Sequence, residues 1–337
     1  MYKAFYILLF FSSLCVYGQI GGQSVYTFLN MMNAPRQAAL GGRVVTLYDY
    51  DVSQAVYNPA VINDMMNNRL AVNYGNYFGE VSYGTAAYAF GVDKYNKMFH
   101  VGVNYINYGS FEARDEYGVQ SGTFTGSETA LSVGYAHQVP DSKFHLAANL
   151  KFITSVLESY NSLGMAIDLG VVYRNPESTL NASLVLRNMG MQLTTYAGTK
   201  EKIPFEIIAG ISQELENVPV RWHVTLDNLQ QWNISYVNPA QTQQGLDGSI
   251  IEKKPSFLNN ALRHLSFGVE IFPQKAINLR LGYNFRRGQE LALEEHRTFA
   301  GISAGFGLRM GKLRFDYSYS RFTSAGSTSI FGLMINL

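Results

Sequence analysis

The sequence predicts an all-β protein: a transmembrane antiparallel β-barrel of about 14 strands with an N-terminal plug in its lumen. Three observations predict this fold. Short segments of alternating apolar and polar residues fill the chain after residue 68, and their connections alternate between short and long. The N-terminal stretch 21–68 shows no such alternation until its end. We therefore expect a plug at 19–68 and a barrel at 69–337.

The composition suits a chain that spreads its hydrophobic residues along strands. Charged residues make up 15% and aromatic residues 14% of the 337 residues, whereas soluble domains have roughly 25% charged residues. The formal net charge is only +1. Because the sequence has no basic stripe that could neutralise phosphates, it indicates no nucleic-acid partner.

Residues 1–18 have the pattern of a signal peptide. An apolar run follows Lys3, and Gly18 ends a cleavage site, so the mature chain is predicted to begin at Gln19. The apolar run is shorter than the ~20 residues of a membrane-spanning helix, and a lipoprotein signal fits poorly around Cys15. Cys15 is the only cysteine, so the mature chain is expected to have no disulfide, thiolate metal site or cysteine nucleophile.

Alternation with a period of two marks each predicted strand. Near the end of the chain, for example, Leu279 and Leu281 alternate with Asn278 and Arg280. The predicted strands span residues 70–78, 81–91, 97–108, 129–138, 143–154, 163–174, 179–188, 205–213, 219–228, 263–272, 276–286, 298–309, 312–321 and 329–337. One face is apolar and the other carries charge, the pattern of a barrel with a lipid-facing exterior and a polar lumen.

Two further patterns favour a barrel over a soluble β-sandwich. Turns such as 139–142 and 310–312 are short, and longer predicted loops lie between them at 109–128, 155–162, 189–204, 229–262 and 287–297. Outer-membrane barrels have short periplasmic turns and long extracellular loops. The strongly apolar last strand would be an exposed edge in a sandwich, whereas in a barrel it pairs with the first strand.

Charges of both signs are predicted to point into the lumen if the apolar face meets lipid. The predicted inward-facing residues are Lys151, Asp168, Arg187, Glu206, Arg221, His223, Asp227, Glu270, Arg280, Arg286, Arg314 and Asp316. Mixed charges do not make a single-sign selectivity ring. They favour a lumen filled by a plug that supplies polar partners. The alternative is a water-filled channel in which these charges are solvated.

The sequence lacks the motifs of common enzyme classes. The six histidines do not stand at metal-ligand spacing, and there is no nucleophile elbow or phosphate-binding loop. His223 and Asp227 could form an acid–base pair, but packing in the lumen explains both residues. We therefore expect no enzyme activity, no catalytic residue, no cofactor and no metal site.

The predicted plug contains a set of candidate motif residues: Arg36, Gly41, Gly42, Asp49, Asp51, Asn58 and Pro59. Glycines permit a chain reversal with positive φ. The two aspartates can cap the backbone or pair with lumenal arginines, and the proline ends a helix-like turn. Folding of the plug explains these residues better than direct contact with a ligand does.

The order of these residues resembles a known family. The run VYTFL is followed by APRQAALGG, VV, YDYD and NPA. This order resembles the N-terminus of the PorV- and PorQ-type outer-membrane proteins of Bacteroidetes, which are similar to FadL-type barrels, and PorQ-type members resemble it most. The resemblance covers the plug in detail. It extends to the remainder through barrel length, strand number and the C-terminal strand.

The resemblance implies a non-enzymatic component of the type IX secretion system in the outer membrane of a Gram-negative bacterium. Such a protein anchors a PorZ-like surface protein within an attachment complex that includes PorU and PorV. The long loops would carry this role through aromatic anchors, for which the candidates are Tyr108, Phe111, Tyr117, Phe124, Trp232, Tyr236 and Phe257. A membrane-interface girdle is the alternative explanation of Tyr108 and Trp232.

Two other functions fit the same fold. A FadL-like transporter would carry hydrophobic small molecules past a movable plug, and a passive porin would conduct ions. The residues alone leave open whether a secretion component acts as an anchor or as a cargo shuttle.

Overall fold

The computed structural model describes residues 24–77, 79–92, 97–234, 243–244, 250–251, 256–290, 300–322 and 326–337. Its strands are β1 (Arg69–Asn76), β2 (Ser82–Val92), β3 (Lys97–Arg114), β4 (Gln120–Gln138), β5 (Phe144–Leu157), β6 (Tyr160–Asn175), β7 (Leu180–Thr194), β8 (Glu206–Glu214), β9 (Val220–Leu226), β10 (Gln243–Gln244), β11 (Ile250–Ile251), β12 (Leu265–Ile271), β13 (Ile277–Asn284), β14 (Ile302–Met310), β15 (Leu313–Arg321) and β16 (Ser327–Asn336). The predicted signal peptide lies outside these residues.

Fourteen of these strands form one closed barrel. Each pairs antiparallel with its neighbours, and β1 pairs with β16 to close the ring, with Arg69 opposite Asn336. The two-residue strands β10 and β11 form a separate sheet between β9 and β12. Because the ring has no open edge, its backbone groups are paired without a partner chain. The predicted antiparallel barrel of about 14 strands is confirmed.

Along the strands, side chains alternate between a polar interior and an apolar exterior. Along β13, Leu279 and Leu281 are 45% and 55% exposed, whereas Asn278 and Arg280 are buried. Phe152 and Leu333 repeat the outward pattern on β5 and β16. So large an exposed apolar surface is unfavourable in water. It is the surface of a barrel that crosses a lipid bilayer.

No helix within the described ranges is long and apolar enough to span a membrane.

The described part of the N-terminal segment, residues 24–68, fills the lumen as predicted. It contains helix α1 (Pro35–Ala39) and four 3-10 helices, Thr27–Asn30, Val52–Val56, Pro59–Val61 and Asp64–Met66. Val52, Val61 and Met66 are fully buried and pack on the small lumenal residues Ala71 and Ala89. The plug and the barrel wall therefore share one hydrophobic core.

Lumenal strand glycines let the plug backbone lie directly on the barrel wall. A Cβ atom on Gly282 would stand 2.2 Å from the backbone nitrogen of Gly41, and one on Gly305 would stand 2.7 Å from Cβ of Ala39. A Cβ on Gly268 would lie 2.8 Å from the carbonyl oxygen of Leu40. Any larger residue at these positions would have to displace the plug.

The connections confirm the predicted short turns but correct two predicted loops. The segments 109–128 and 155–162 are mostly strand: β3 and β4 continue to a tip at 115–119, and β5 and β6 are joined by residues 158–159. The prediction of long loops was wrong for these two segments because cross-strand pairing continues beyond the apolar part of the barrel, as between Phe111 and Phe124. The barrel thus has a short-turn end and a loop end with projecting hairpins.

The predicted strand 276–286 ends early. Asn284 is the last residue of β13, and its side chain accepts a hydrogen bond (2.9 Å) from the backbone N–H of Arg287. This contact has the form of a helix N-cap, and helix α3 (Phe285–Glu290) follows. Arg286 therefore lies in a helix at the loop end and not on the inner face of a strand, which corrects the prediction. Helix α2 (Phe257–Arg263) precedes β12.

Candidate functional site

Arg36 on α1 is clamped between a plug carboxylate and a wall carboxylate. Its Nη1 and Nη2 atoms donate to the two carboxylate oxygens of Asp49 at 2.8 and 2.7 Å. Its Nε and Nη2 atoms donate to the two oxygens of Glu270 on β12 at 2.7 and 2.9 Å. Both contacts are bidentate, the strongest arrangement for an arginine–carboxylate pair. Arg36 is 1% exposed.

The Arg36 network consists of Arg36, Asp49, Arg221, Glu270, Arg280, Asp316 and Arg314. Arg221 on β9 joins Asp49 at 2.9 Å and Glu270 at 3.3 Å. Arg280 on β13 joins Glu270 at 3.3 Å and Asp316 at 2.7 Å. Positive and negative side chains alternate through the network, which ends at Arg314 beside Asp316, so each buried charge has a counter-charge within 4 Å. Such compensation is what permits charges to remain buried.

The network keeps the Asp49 carboxylate charged. Burial favours the neutral form of this carboxyl, but the guanidinium groups of Arg36 and Arg221 outweigh it and hold the pKa of Asp49 well below its ordinary value. A neutral Asp49 would leave Arg36 with less compensation. The plug is therefore attached to the wall electrostatically across the pH range in which carboxylates are ordinarily ionised.

A second plug–wall contact is built around Glu206 on β8. Its carboxylate accepts hydrogen bonds from Arg43 of the plug at 2.9 Å and from Arg187 on β7 at 3.0 Å. Arg187 also lies over the ring of Tyr57, 3.7 Å from its centroid, and Arg43 donates to the Tyr57 hydroxyl at 3.2 Å. Cation–π contact adds attraction to the ion pairs. The plug is thus attached to β12 and to β8, two wall strands that are separated by β9 alone.

The remaining plug motif residues shape the plug backbone. Gly41 and Gly42 have φ values of +96° and +99°, which only glycine adopts readily. The Asp51 side chain accepts the backbone N–H of Ser53 at 3.2 Å. The Asn58 side chain accepts the backbone N–H of Ala60, and Pro59 begins the 3-10 helix Pro59–Val61. These residues therefore make turn and helix-start contacts within the plug.

The candidate partner-binding aromatics form two groups at the loop end. On the β3–β4 hairpin, Phe111 and Phe124 stack with centroids 5.3 Å apart, and Tyr117 at the tip is 83% exposed. Tyr108 is half-buried and donates its hydroxyl proton to Glu128. The sequence could not distinguish Tyr108 from these neighbours, because its hydrogen bond depends on cross-strand register.

The second group, the Trp232 cluster, consists of Trp232, Phe257, Leu258 and His264. The Trp232 ring lies 4.9 Å from that of Phe257 and 5.4 Å from that of His264. Trp232, Phe257 and Leu258 are 52%, 76% and 68% exposed. Tyr236, the remaining candidate, lies outside the described residues. Exposed aromatic side chains of this kind are typical of protein interfaces.

A cavity of about 620 Å³ opens at the loop end between the plug and the barrel rim. Its lining, here called the vestibule, combines the apolar side chains Met31, Met32, Tyr77, Tyr83, Ile234 and Phe322 with Arg43, Arg286, Arg287 and Glu290. Arg287 donates to the carbonyl of Gly41 at 2.9 Å, and its Nη1 atom has no hydrogen-bond partner. The sequence feature that could have located the vestibule is the Arg286–Arg287 pair directly after β13.

The structure does not form the acid–base pair that was considered from the sequence. His223 lies 3.5 Å from Glu270, whereas Asp227 is 3.9 Å from Arg43. Within the described part of the chain, no group of three or more His, Cys, Asp or Glu side chains could hold a metal ion.

Comparison with known proteins supports the fold. A Pseudomonas aeruginosa FadL homologue of solved structure matches with a TM-score of 0.52 and 11% identity, over 91% of this chain and 99% of that one. A KdgM porin and CdiB from Acinetobacter baumannii match with TM-scores of 0.34 and identities of 7% and 9%, over 80% and 79% of this chain and 99% and 59% of theirs.

No protein-family model and no curated protein matches the sequence. Of these three structures, the FadL homologue exceeds a TM-score of 0.5 and bears on the architecture, whereas the other two do not. At 11% identity the match concerns the fold alone. The chain has a FadL-like β-barrel fold.

Proposed function

We propose that this chain is a non-enzymatic outer-membrane component of the type IX secretion system. In this role it anchors a PorZ-like surface protein within the attachment complex that includes PorU and PorV. The observation that carries the proposal is the Trp232 cluster, whose aromatic rings pack on one another while Phe257 stays 76% exposed. Rigid exposed aromatics provide interface area at low entropic cost.

The attachment of the plug supports an anchoring role over a conducting one. Arg36 links the plug to Glu270, and Arg43 links it to Glu206, on the walls formed by β12 and β8. A barrel filled in this way is a rigid base in the membrane. Its projecting β3–β4 hairpin and Trp232 cluster lie at the end that faces outward in outer-membrane barrels.

We expect the Trp232→Ala/Phe257→Ala double variant to release the surface partner. Truncating one aromatic anchor typically costs about 2 kcal/mol or more in a protein interface, and a loss of about 2 kcal/mol already lowers affinity about thirtyfold. The measurement is the amount of PorZ-like protein that co-purifies from gently solubilised outer membranes. The matched control is Tyr160→Ala, which removes an aromatic side chain 49% exposed at the β5–β6 turn.

Heat-modifiable migration of the barrel must stay unchanged in all variants, which separates loss of the partner from loss of the fold. Deletion of residues 233–258 provides a stronger version of the same test. If the partner remains bound when this whole segment is absent, the anchoring surface is not on the β9–β12 connection and the proposal fails.

A second candidate function, transport of hydrophobic small molecules, is favoured by the vestibule. Its volume of about 620 Å³ suits a small-molecule site, and its apolar lining with a few charged groups is typical of one. Uptake of a labelled long-chain carboxylate distinguishes the two functions. Transport requires that uptake falls in a strain without this protein while surface attachment of secreted proteins stays normal, and anchoring requires the reverse.

A further inference from the structure

A basic pocket lies at the short-turn end of the barrel, where β1, β16, β15 and β14 meet. Its volume is about 200 Å³, and its charged lining residues are Arg69, Arg309, Lys312 and Arg314. Tyr50 of the plug, Gly311, Leu313, Met334 and Asn336 complete the lining. No aspartate or glutamate is among these described lining residues. We call it the basic mouth.

Its arginines point inward and come from strands whose pairing brings like charges together. Arg309 on β14 and Arg314 on β15 are direct cross-strand partners. Arg309 is on the same face of β14 as the buried Ser303, and Arg314 is on the same face of β15 as the buried Asp316, so both arginines are at inward-facing positions. Like charges directly opposite each other destabilise a sheet. The arrangement is therefore unfavourable unless a negative group compensates it.

The lumen supplies only part of that compensation. Arg314 is 4% exposed and pairs with Asp316 at 3.0 Å, yet its Nη2 atom has no hydrogen-bond partner. Arg69 donates to the carbonyl of Met65 at 2.6 Å. Among the described residues, no carboxylate lies within ion-pair distance of Arg69, Arg309 or Lys312. Three positive charges thus face one concave opening, which concentrates a positive potential there.

Tyr50 adds an uncharged hydrogen-bond donor, and its ring contacts two of the guanidinium groups. The guanidinium carbons of Arg69 and Arg314 lie 5.7 and 4.8 Å from the centroid of its ring. The Tyr50 hydroxyl is buried without a hydrogen-bond partner. Burial raises the pKa of Tyr50 to about 12, so the phenol keeps its proton and can donate it to an anion.

We propose that the basic mouth binds carboxylate side chains from an acidic segment of a periplasmic protein. Short turns of outer-membrane barrels face the periplasm, so the occupant must come from that side. Membrane lipid headgroups surround the outside of the barrel rim, whereas this pocket is lined mainly by the inward-facing Arg69, Arg309, Arg314, Met334 and Asn336, by the 310–312 turn and by Tyr50 of the plug. Its volume accommodates one or two carboxylate side chains, and an Arg fork is the natural partner of a carboxylate.

Binding of a fluorescein-labelled hexaglutamate peptide to the full-length protein in neutral detergent tests the proposal. We expect saturable binding that weakens as salt is added. The Arg309→Gln/Lys312→Gln variant should bind at least about tenfold more weakly, because it removes two charge-assisted contacts. The matched control, Lys143→Gln/Lys275→Gln, removes the same charge from other turns at the same end and should bind as the unmodified chain does.

Three outcomes overturn the proposal. Equal weakening in both double variants would mean that bulk charge, and not the pocket, attracts the peptide. Unchanged binding in Arg309→Gln/Lys312→Gln would place the peptide elsewhere. Displacement of the peptide by inorganic phosphate near 1 mM, at constant ionic strength, would identify a phosphate site in place of a carboxylate site. Partner release at the loop end does not depend on any of these results.

Discussion

Replacing Arg36 by glutamine is expected to release the plug from the barrel wall and let ions pass. The substitution leaves Asp49 and Glu270 buried side by side with too little positive charge. Breaking a buried ion pair by removing one partner typically costs about 3–5 kcal/mol. The barrel itself should remain closed, since its strand ladder does not depend on Arg36.

Single-channel recording in planar bilayers measures the effect. The unmodified protein should be nearly silent, and Arg36→Gln should show frequent openings together with faster proteolysis of the plug. The matched control is Arg114→Gln, because Arg114 pairs with Glu112 at 2.7 Å where both side chains are more than half exposed, and such pairs contribute little.

A second substitution tests whether charge balance is the cause. In Arg36→Gln/Glu270→Gln the network loses one charge of each sign, so part of the lost attachment should return relative to Arg36→Gln alone. If Arg36→Gln stays silent and its plug remains protease-resistant, hydrophobic packing alone holds the plug, and the network is not its main attachment.

Substitution of Gly282 by valine is expected to displace the plug by steric overlap alone. A Cβ atom at this position would lie 2.2 Å from the backbone nitrogen of Gly41 and 2.4 Å from the carbonyl carbon of Leu40. Backbone atoms cannot move aside as the end of a flexible side chain can. Overpacking usually costs about 1–3 kcal/mol, and overlap with both atoms of the Leu40–Gly41 peptide bond should reach the upper part of that range.

The control is Ala304→Val, which adds a similar volume on the lipid-facing side of the neighbouring strand β14. Conductance and plug proteolysis should rise in Gly282→Val and stay unchanged in Ala304→Val, while both proteins keep heat-modifiable migration. A Gly282→Val protein with a silent channel and an intact plug would show that α1 and the Gly41–Gly42 turn are not seated against β13.

Much of the barrel could be predicted because lipid and lumen impose opposite chemistry on alternating residues. The strand predicted at 312–321 is observed as Leu313–Arg321, and the strand predicted at 205–213 as Glu206–Glu214. The alternation did not predict the parts of the strands that lie beyond the membrane. In the β3–β4 hairpin both faces meet water, so residues near Phe111 carry no apolar alternation although the strands continue.

The candidate plug residues were predicted, but only the structure assigned most of their partners. Arg36 and Glu270 are 234 positions apart in sequence, and nothing local to either residue indicates the other. Their meeting depends on the strand order and on the depth at which α1 lies in the lumen. The end of β13 at Asn284 is another tertiary result, since the polar-apolar pattern continues to Arg286.

By itself, the sequence determined the fold class, the two faces of nearly every strand and the existence of a non-repeating segment inside the barrel. These follow from local chemistry, because each residue's polarity indicates whether it faces lipid or lumen. The tertiary structure alone decided which buried charges neutralise one another, and that the vestibule and the basic mouth exist. Both cavities form where residues from distant strands and the plug converge, so their charge balance depends on closure of the ring between β1 and β16.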